Sequence, residues 1–177
     1  MTARLARGVG TLLLLFVLAA LLPAAPVAAG EPWRALFVDA ETNRPLEGVV
    51  VVLVWDRCSA SVAGWVECRL WDAEEAVSGP DGRVSIPYRW SFTIPLVIRV
   101  RLSVIKIFKP GYGEWRGREP SGEREEAHVI ELPSLPTRDR RLAFLRTFTR
   151  PGLVPLERMP RLNEAWTRER AFLGLER

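Results

Sequence analysis

The side chains able to do chemistry are few and poorly spaced for it. His128 is the chain's one histidine. A histidine-rich zinc site therefore has no second imidazole, and a serine triad has no other base to draw on. Cys58 and Cys68 stand ten positions apart, not in a C-x-x-C pair, which removes the usual basis for redox catalysis. In an oxidising compartment the default for two such cysteines is a disulfide, stabilising the fold by ~2–3 kcal/mol through restriction of the unfolded chain. Glu74-Glu75 and the group Glu123, Glu125, Glu126 hold enough carboxylate for an acid–base pair or a calcium site. The first pair falls at a strand end and the second in a polar loop, where charge runs ordinarily serve solubility. No residue is assigned to catalysis, to a metal or to a cofactor, and the chain is expected to be non-enzymatic.

Binding chemistry has more to work with. There are seven tryptophans, of which Trp65, Trp71, Trp90 and Trp115 fall in or near loops and form a candidate stacking platform for sugar rings. The competing reading makes Trp33, Trp55 and Trp71 core residues and gives Trp166 to the C-terminal region. The formal charge is +4, but Arg4 and Arg7 lie in a leader, so the remainder carries a smaller excess. Lys106 and Lys109 are the only lysines, and the arginines form no dense patch with aromatics beside it. Nucleic acid is not an expected partner.

Residues 1–29 read as a signal peptide. Arg4 and Arg7 supply a positive start, Thr11 to Leu22 is almost wholly apolar, and Val27-Ala28-Ala29 is a small-residue cleavage pattern before Gly30. The apolar run is short for a membrane span, and Pro23 and Pro26 interrupt its end. Export to a periplasmic or extracellular location follows, with no stable membrane insertion after cleavage.

The elements that must position these residues are mostly strands. Leu46 to Trp55 (LEGVVVVLVW) is a short run dense in β-branched residues, suited to a strand buried on both faces at a sheet centre. Its lead-in, Thr42-Asn43-Arg44-Pro45, is a turn. Trp33–Val38 precedes it as a first strand. The central strand is expected to end near Asp56, with Arg57 to Gly64 a loop. Trp65 to Val77 is a third strand, with Val66, Cys68 and Leu70 on one face and Glu67 and Arg69 on the other. Ser78 to Gly82 is a turn, Arg83 to Pro87 alternates as a half-buried strand, and Tyr88 to Pro95 is a connector. Leu96, Ile98, Val100, Leu102 and Val104 alternate along a further strand that ends at Lys109 to Gly113. Residues 111 to 126 read as an exposed loop, and His128–Leu132 as a last strand. An antiparallel sandwich accounts for this order of short strands and turns.

The pattern changes at Pro133. Thr137 can cap a short helix whose Leu142, Leu145 and Phe148 share a face, stopped by Pro151-Gly152. A second helix begins near Pro160, with Leu162, Ala165, Trp166, Glu169, Phe172 and Leu173 at helical spacing. Leu162, Ala165, Trp166, Phe172 and Leu173 form a candidate stripe that either packs on an open sheet face or edge, the preferred reading, or docks in a partner's groove. Glu164 and Glu169 dilute the basic face that membrane binding would need.

Three segments together resemble the carboxypeptidase regulatory-like family of prealbumin-type, transthyretin-like sandwiches. They are Val38-Asp39-Ala40-Glu41-Thr42-Asn43-Arg44-Pro45-Leu46-Glu47-Gly48-Val49-Val50-Val51, the stretch from Glu75 through Gly82-Arg83-Val84-Ser85-Ile86-Pro87, and Ile107-Phe108-Lys109-Pro110-Gly111-Tyr112. The resemblance covers residues 34 to 132 and implies a fold and an accessory, ligand-binding or adhesion role, with no catalytic group among its signature residues. Enzymes on related sandwiches make demands this chain does not meet. Hydroxyisourate hydrolases need several histidines and a Tyr-Arg-Gly-Ser end, and intradiol dioxygenases need two tyrosines with two histidines, whereas His128 stands alone beside Tyr88 and Tyr112. The expected organisation is a signal peptide at 1–29, a β-sandwich at 30–133 and a helical extension at 134–177. The expected role is interaction or scaffolding in the cell envelope with an unidentified protein, or glycan binding through exposed tryptophans.

Overall fold

The computed structural model describes residues 32–60, 66–87, 98–115 and 128–175. The leader at 1–29, Trp65, Trp90, the Tyr88 to Pro95 connector and the acidic group at 123–126 lie outside them. The described chain is mainly β, with two helices at its C-terminal end. In order, the elements are β1 (Trp33–Asp39), β2 (Val50–Ala60), β3 (Val66–Val77), β4 (Arg83–Ile86), β5 (Ile98–Phe108), β6 (His128–Leu132), α1 (Arg138–Thr147) and α2 (Pro160–Phe172). A short 3-10 turn, Leu156–Arg158, leads into α2.

The strands form two three-stranded sheets, ordered β4-β1-β6 and β3-β2-β5. β2 lies between two antiparallel partners. In the other sheet β1 runs antiparallel to β4 but parallel to β6, with Phe37 opposite Ile130. That parallel pair departs from the all-antiparallel expectation. Alternation reports which face a strand buries and carries no information on the direction of its neighbour.

Between the sheets lies a core of Phe37 from β1, Val51 and Leu53 from β2, Ile86 from β4, Ile107 from β5 and Leu132 from β6, among others. The opposite face of the β2 sheet is also buried. Val50, Val52, Val54, Ala73 and Phe108 meet Leu145, Met159, Leu162, Ala165 and Leu173 of the extension. This is why Val50 to Trp55 is buried at every position: odd-numbered side chains face the other sheet and even-numbered ones face the helices. The helical extension is thus the second wall of this sheet.

Three boundaries differ from expectation. β2 continues through Cys58 to Ala60, because Asp56 to Ser59 pairs with both neighbours, and Ala60 with β3, despite the segment's polarity. The alternation of β5 breaks at Ser103. Val54 faces Val104 while Trp55 faces Leu102, so Ser103 is an extra residue whose hydroxyl donates to the Val54 carbonyl at 3.1 Å. Val100 and Leu102 consequently pack toward the sandwich core and Val104 toward the helices. Trp71 is the matching extra residue on β3, where Trp55 faces Asp72 and Asp56 faces Leu70. Finally, Tyr112 to Trp115 is not free loop. Tyr112 bridges Ser134, Gly113 is buried, and Trp115 packs on the core.

Cys58 and Cys68 are opposite one another on β2 and β3 and form a disulfide. The bridge ties the far ends of these strands, beyond the helix-covered region.

Candidate binding site between the terminal helices

The turns that link the two sheets are built from the residues quoted in the family resemblance. The Asp39 carboxylate accepts from the Glu41 and Thr42 backbone N–H groups at 3.0 and 2.8 Å, from the Thr42 hydroxyl at 2.9 Å, and from the Tyr112 hydroxyl at 3.1 Å. Burial acts to raise the Asp39 carboxyl's pKa, but these hydrogen bonds outweigh it and hold the group below its ordinary value. The Tyr112 hydroxyl is pushed upward, first by burial and then by its bond to Asp39. Lys109 donates to the Glu47 carbonyl at 2.6 Å, and its pKa is lowered chiefly by burial. Ser78 ties the same region, donating to the Leu46 carbonyl at 2.6 Å and accepting from the Val49 N–H at 2.9 Å. Every polar group here has a partner within the fold, so the cluster is a brace between β1 and the end of β5.

The other chemistry-bearing residues are dispersed. The His128 ring lies 6.0 Å from that of Trp33 on the β1–β6 side. Among the described residues no cluster of three or more His, Cys, Asp or Glu is placed to hold a metal, and no helix is long and apolar enough to cross a membrane. Trp71 and Trp115, two members of the candidate stacking platform, are half-buried and pack against the sandwich core, as the competing core reading has it for Trp71. Strand alternation misplaces Trp71 because the β3 bulge turns it inward.

Glu75 was expected to be a solvated charge and is not. Its carboxylate accepts from the backbone N–H groups of Arg161 at 2.9 Å and Leu162 at 2.6 Å, capping α2 from a strand 86 residues earlier in sequence. Met159, at the conventional cap position, makes no side-chain cap hydrogen bond, and Pro160 opens the helix with no N–H to satisfy. Arg158 reinforces this corner through Asp72 and the Ala73 carbonyl.

The helices are joined to each other by Arg141 and Glu169, paired at 3.0 Å and both largely buried. Arg138 also donates to the Leu173 carbonyl at 2.8 Å. Thr137 caps α1 as expected, accepting from the Arg140 N–H at 3.4 Å. In the candidate stripe, Leu162, Ala165 and Leu173 are buried against the β2 sheet and Trp166 packs at its margin. Phe172 departs from it: it is 71% exposed, with the Arg141 guanidinium 4.3 Å from its ring centre. Position 172 is the immediate neighbour of the buried Leu173, so the helix turns it away from the sheet.

The packing of α1 on α2 leaves a groove of about 300 Å³ lined by Leu142, Leu145, Arg146, Trp166, Arg170 and Leu175. Apolar side chains make most of its wall, and two guanidiniums supply the charge. Arg150 and Arg170 each stand 4.6 Å from the centre of the Trp166 ring. Arg150 is held by a bond to Asn163 at 2.9 Å, and Arg170 by one to the Leu175 carbonyl at 2.9 Å. A mostly apolar concavity with a few oriented polar groups is the usual form of a ligand site. Its walls come from two helices whose sequence patterns mark their buried faces. The space between them depends on which residues meet across the helix pair, a pairing that no local spacing encodes.

Comparison with family models, with curated proteins and with solved structures finds no match to this chain.

Proposed function

We propose that the protein is an exported, non-catalytic β-sandwich module of prealbumin-like kind that mediates protein interaction in the cell envelope through its helical extension. The observation that carries this reading is the groove between α1 and α2, on a helix layer fastened to the sheet by Glu75 and by the cluster around Phe108. A partly charged concavity on a packed helix layer suits recognition of a partner better than it suits a reaction, since among the described residues no general base or nucleophile lines it. Export is supported by the pattern of residues 1–29, and the Cys58–Cys68 bridge is compatible with it. The brace of Asp39, Thr42 and Tyr112, together with the Gly82 turn, gives the family-like segments structural work in place of chemical work.

The test is site-directed photocrosslinking in intact cells, from position 146 on the groove and from Ser85, an exposed residue of β4. A discrete protein adduct from position 146 and none from position 85 is the expected outcome. Equal labelling from both positions, or recovery of wall glycan in place of protein, would overturn the proposal.

A further inference from the structure

We propose that the groove between α1 and α2 receives an acidic, apolar peptide segment, with a large apolar side chain seated among Leu142, Leu145, Leu175 and Trp166 and neighbouring carboxylates on Arg146 and Arg170. This deepens the interaction reading above and rests on it.

Among the described residues, no acidic side chain lines the groove to oppose its charge. Arg146 is exposed in the last turn of α1 and makes no hydrogen bond or ion pair among the described residues. Arg170 commits one terminal nitrogen to the Leu175 carbonyl, and a guanidinium has five N–H donors, so it keeps donors for a carboxylate. The two acidic residues of α2 are engaged elsewhere: Glu169 is buried against Arg141, and Glu164 is bonded to Arg168 at 2.7 Å.

The bias extends over the whole element. Residues 134–177 hold ten arginines against five carboxylates, whereas residues 30–133 hold sixteen carboxylates against thirteen basic side chains. A partner that is acidic is therefore drawn toward the helices and turned away from the sandwich. The shape selects a peptide over a flat anionic surface. The apolar residues of the site line a concavity of about 300 Å³, which accepts a projecting side chain. The extension's exposed large apolar residues, Leu153, Leu156 and Phe172, do not line the groove.

Binding is measured on the full chain by fluorescence anisotropy, using a short labelled peptide with a central Leu-Phe pair flanked by glutamates. Two controls replace the glutamates with lysines or the Leu-Phe pair with serines. The expected result is binding of the acidic, apolar peptide alone, weakened by added salt. It is weakened about tenfold by Arg146→Glu, and the same substitution admits the lysine peptide. Arg146→Gln, read alongside, guards against damage to α1, and matching denaturation midpoints verify that each variant is folded. Binding that ignores the peptide's charge, binding unmoved at Arg146, or no binding at all would overturn the proposal. So would Arg146-dependent sedimentation with phosphatidylglycerol vesicles in the absence of peptide binding, which would assign the cations to a lipid surface. A position-146 protein adduct without acidic-peptide binding would refute this chemistry and leave the interaction reading standing. Loss of both would remove the two together.

Discussion

Replacing Glu75 by alanine should loosen α2 at its first turn while leaving the sandwich formed. Pro160 has no N–H, and the next two, on Arg161 and Leu162, both bond to this one carboxylate. Loss of a single side-chain cap costs about 0.5–2 kcal/mol, and an anion at a helix start adds about 0.3–1 kcal/mol. Water can reach exposed Arg161 but reaches the Leu162 N–H less easily, so Glu75→Ala should cost about 2 kcal/mol. Glu75→Gln keeps one acceptor oxygen and loses the charge, and should cost about half as much. Urea unfolding followed by far-UV circular dichroism gives both numbers. Amide exchange should place the lost protection at Arg161 and Leu162. Because Trp166 and Arg170 ride on α2, peptide binding should weaken in the same order. A shift below 0.5 kcal/mol for Glu75→Ala, or equal shifts for both variants, would refute the capping role.

Gly48 and Gly82 share a φ of +73°, so alanine at each separates backbone strain from crowding. Gly48→Ala should cost about 1–2 kcal/mol for the left-handed conformation alone, since its nearest neighbour would be Lys109 Nζ at 3.9 Å. Gly82→Ala should cost at least about 1–3 kcal/mol more, because its Cβ would lie 2.5 Å from the Phe37 carbonyl that accepts from Leu46; equal denaturation midpoints would refute this. Asp39 should contribute stability in full above its ordinary pKa of 3.8 and lose it as the pH falls through its lower folded value. Asp39→Asn should therefore flatten the acid limb of a stability–pH curve, and an unchanged limb would argue against the brace. Truncation at Thr137 should yield an aggregating product, since it uncovers Val50, Val52, Val54 and Phe108; a soluble monomer would show that the extension is dispensable.

The valine run of β2 was readable as doubly buried because a strand without alternation has no solvent face. The two covers of that strand were harder to read. Strand alternation pointed to the opposing sheet, and the stripe at Leu162, Ala165 and Leu173 pointed to a packed helix. Nothing local joined the stripe to the even-numbered valines. The same gap hid Glu75: its position at a strand end looks like solvation until the helix start arrives from far along the chain. Bulges at Trp71 and Ser103 each move one residue across the sheet, which is why Val104 changes sides and Trp71 packs, half-buried, against the sandwich core. The groove was least legible of all, since it is made by what two helices leave unfilled.

Leu145 belongs both to the cluster that seals the β2 sheet and to the wall of the groove. Behind it Phe108 contacts Phe148, their ring centres 4.8 Å apart, and Val50, Val52, Val54 and Ala73 share the same sheet face. Moving Leu145 to enlarge the groove would open space in a close-packed layer, and a cavity there costs in proportion to the volume left empty. The deep wall is therefore fixed before any occupant arrives. The rim is less constrained: Arg146 is exposed and has no hydrogen-bond or ion-pair partner among the described residues, so reorienting it costs mainly side-chain entropy. Recognition by such a site divides accordingly. In the proposed peptide complex, the packed apolar floor would set which side chain fits, and the cation at the edge would set the sign of the charge beside it. Because the floor is also the fold's second core, substitutions that reshape it should alter stability together with the proposed peptide binding, whereas substitutions at Arg146 should alter the proposed binding alone.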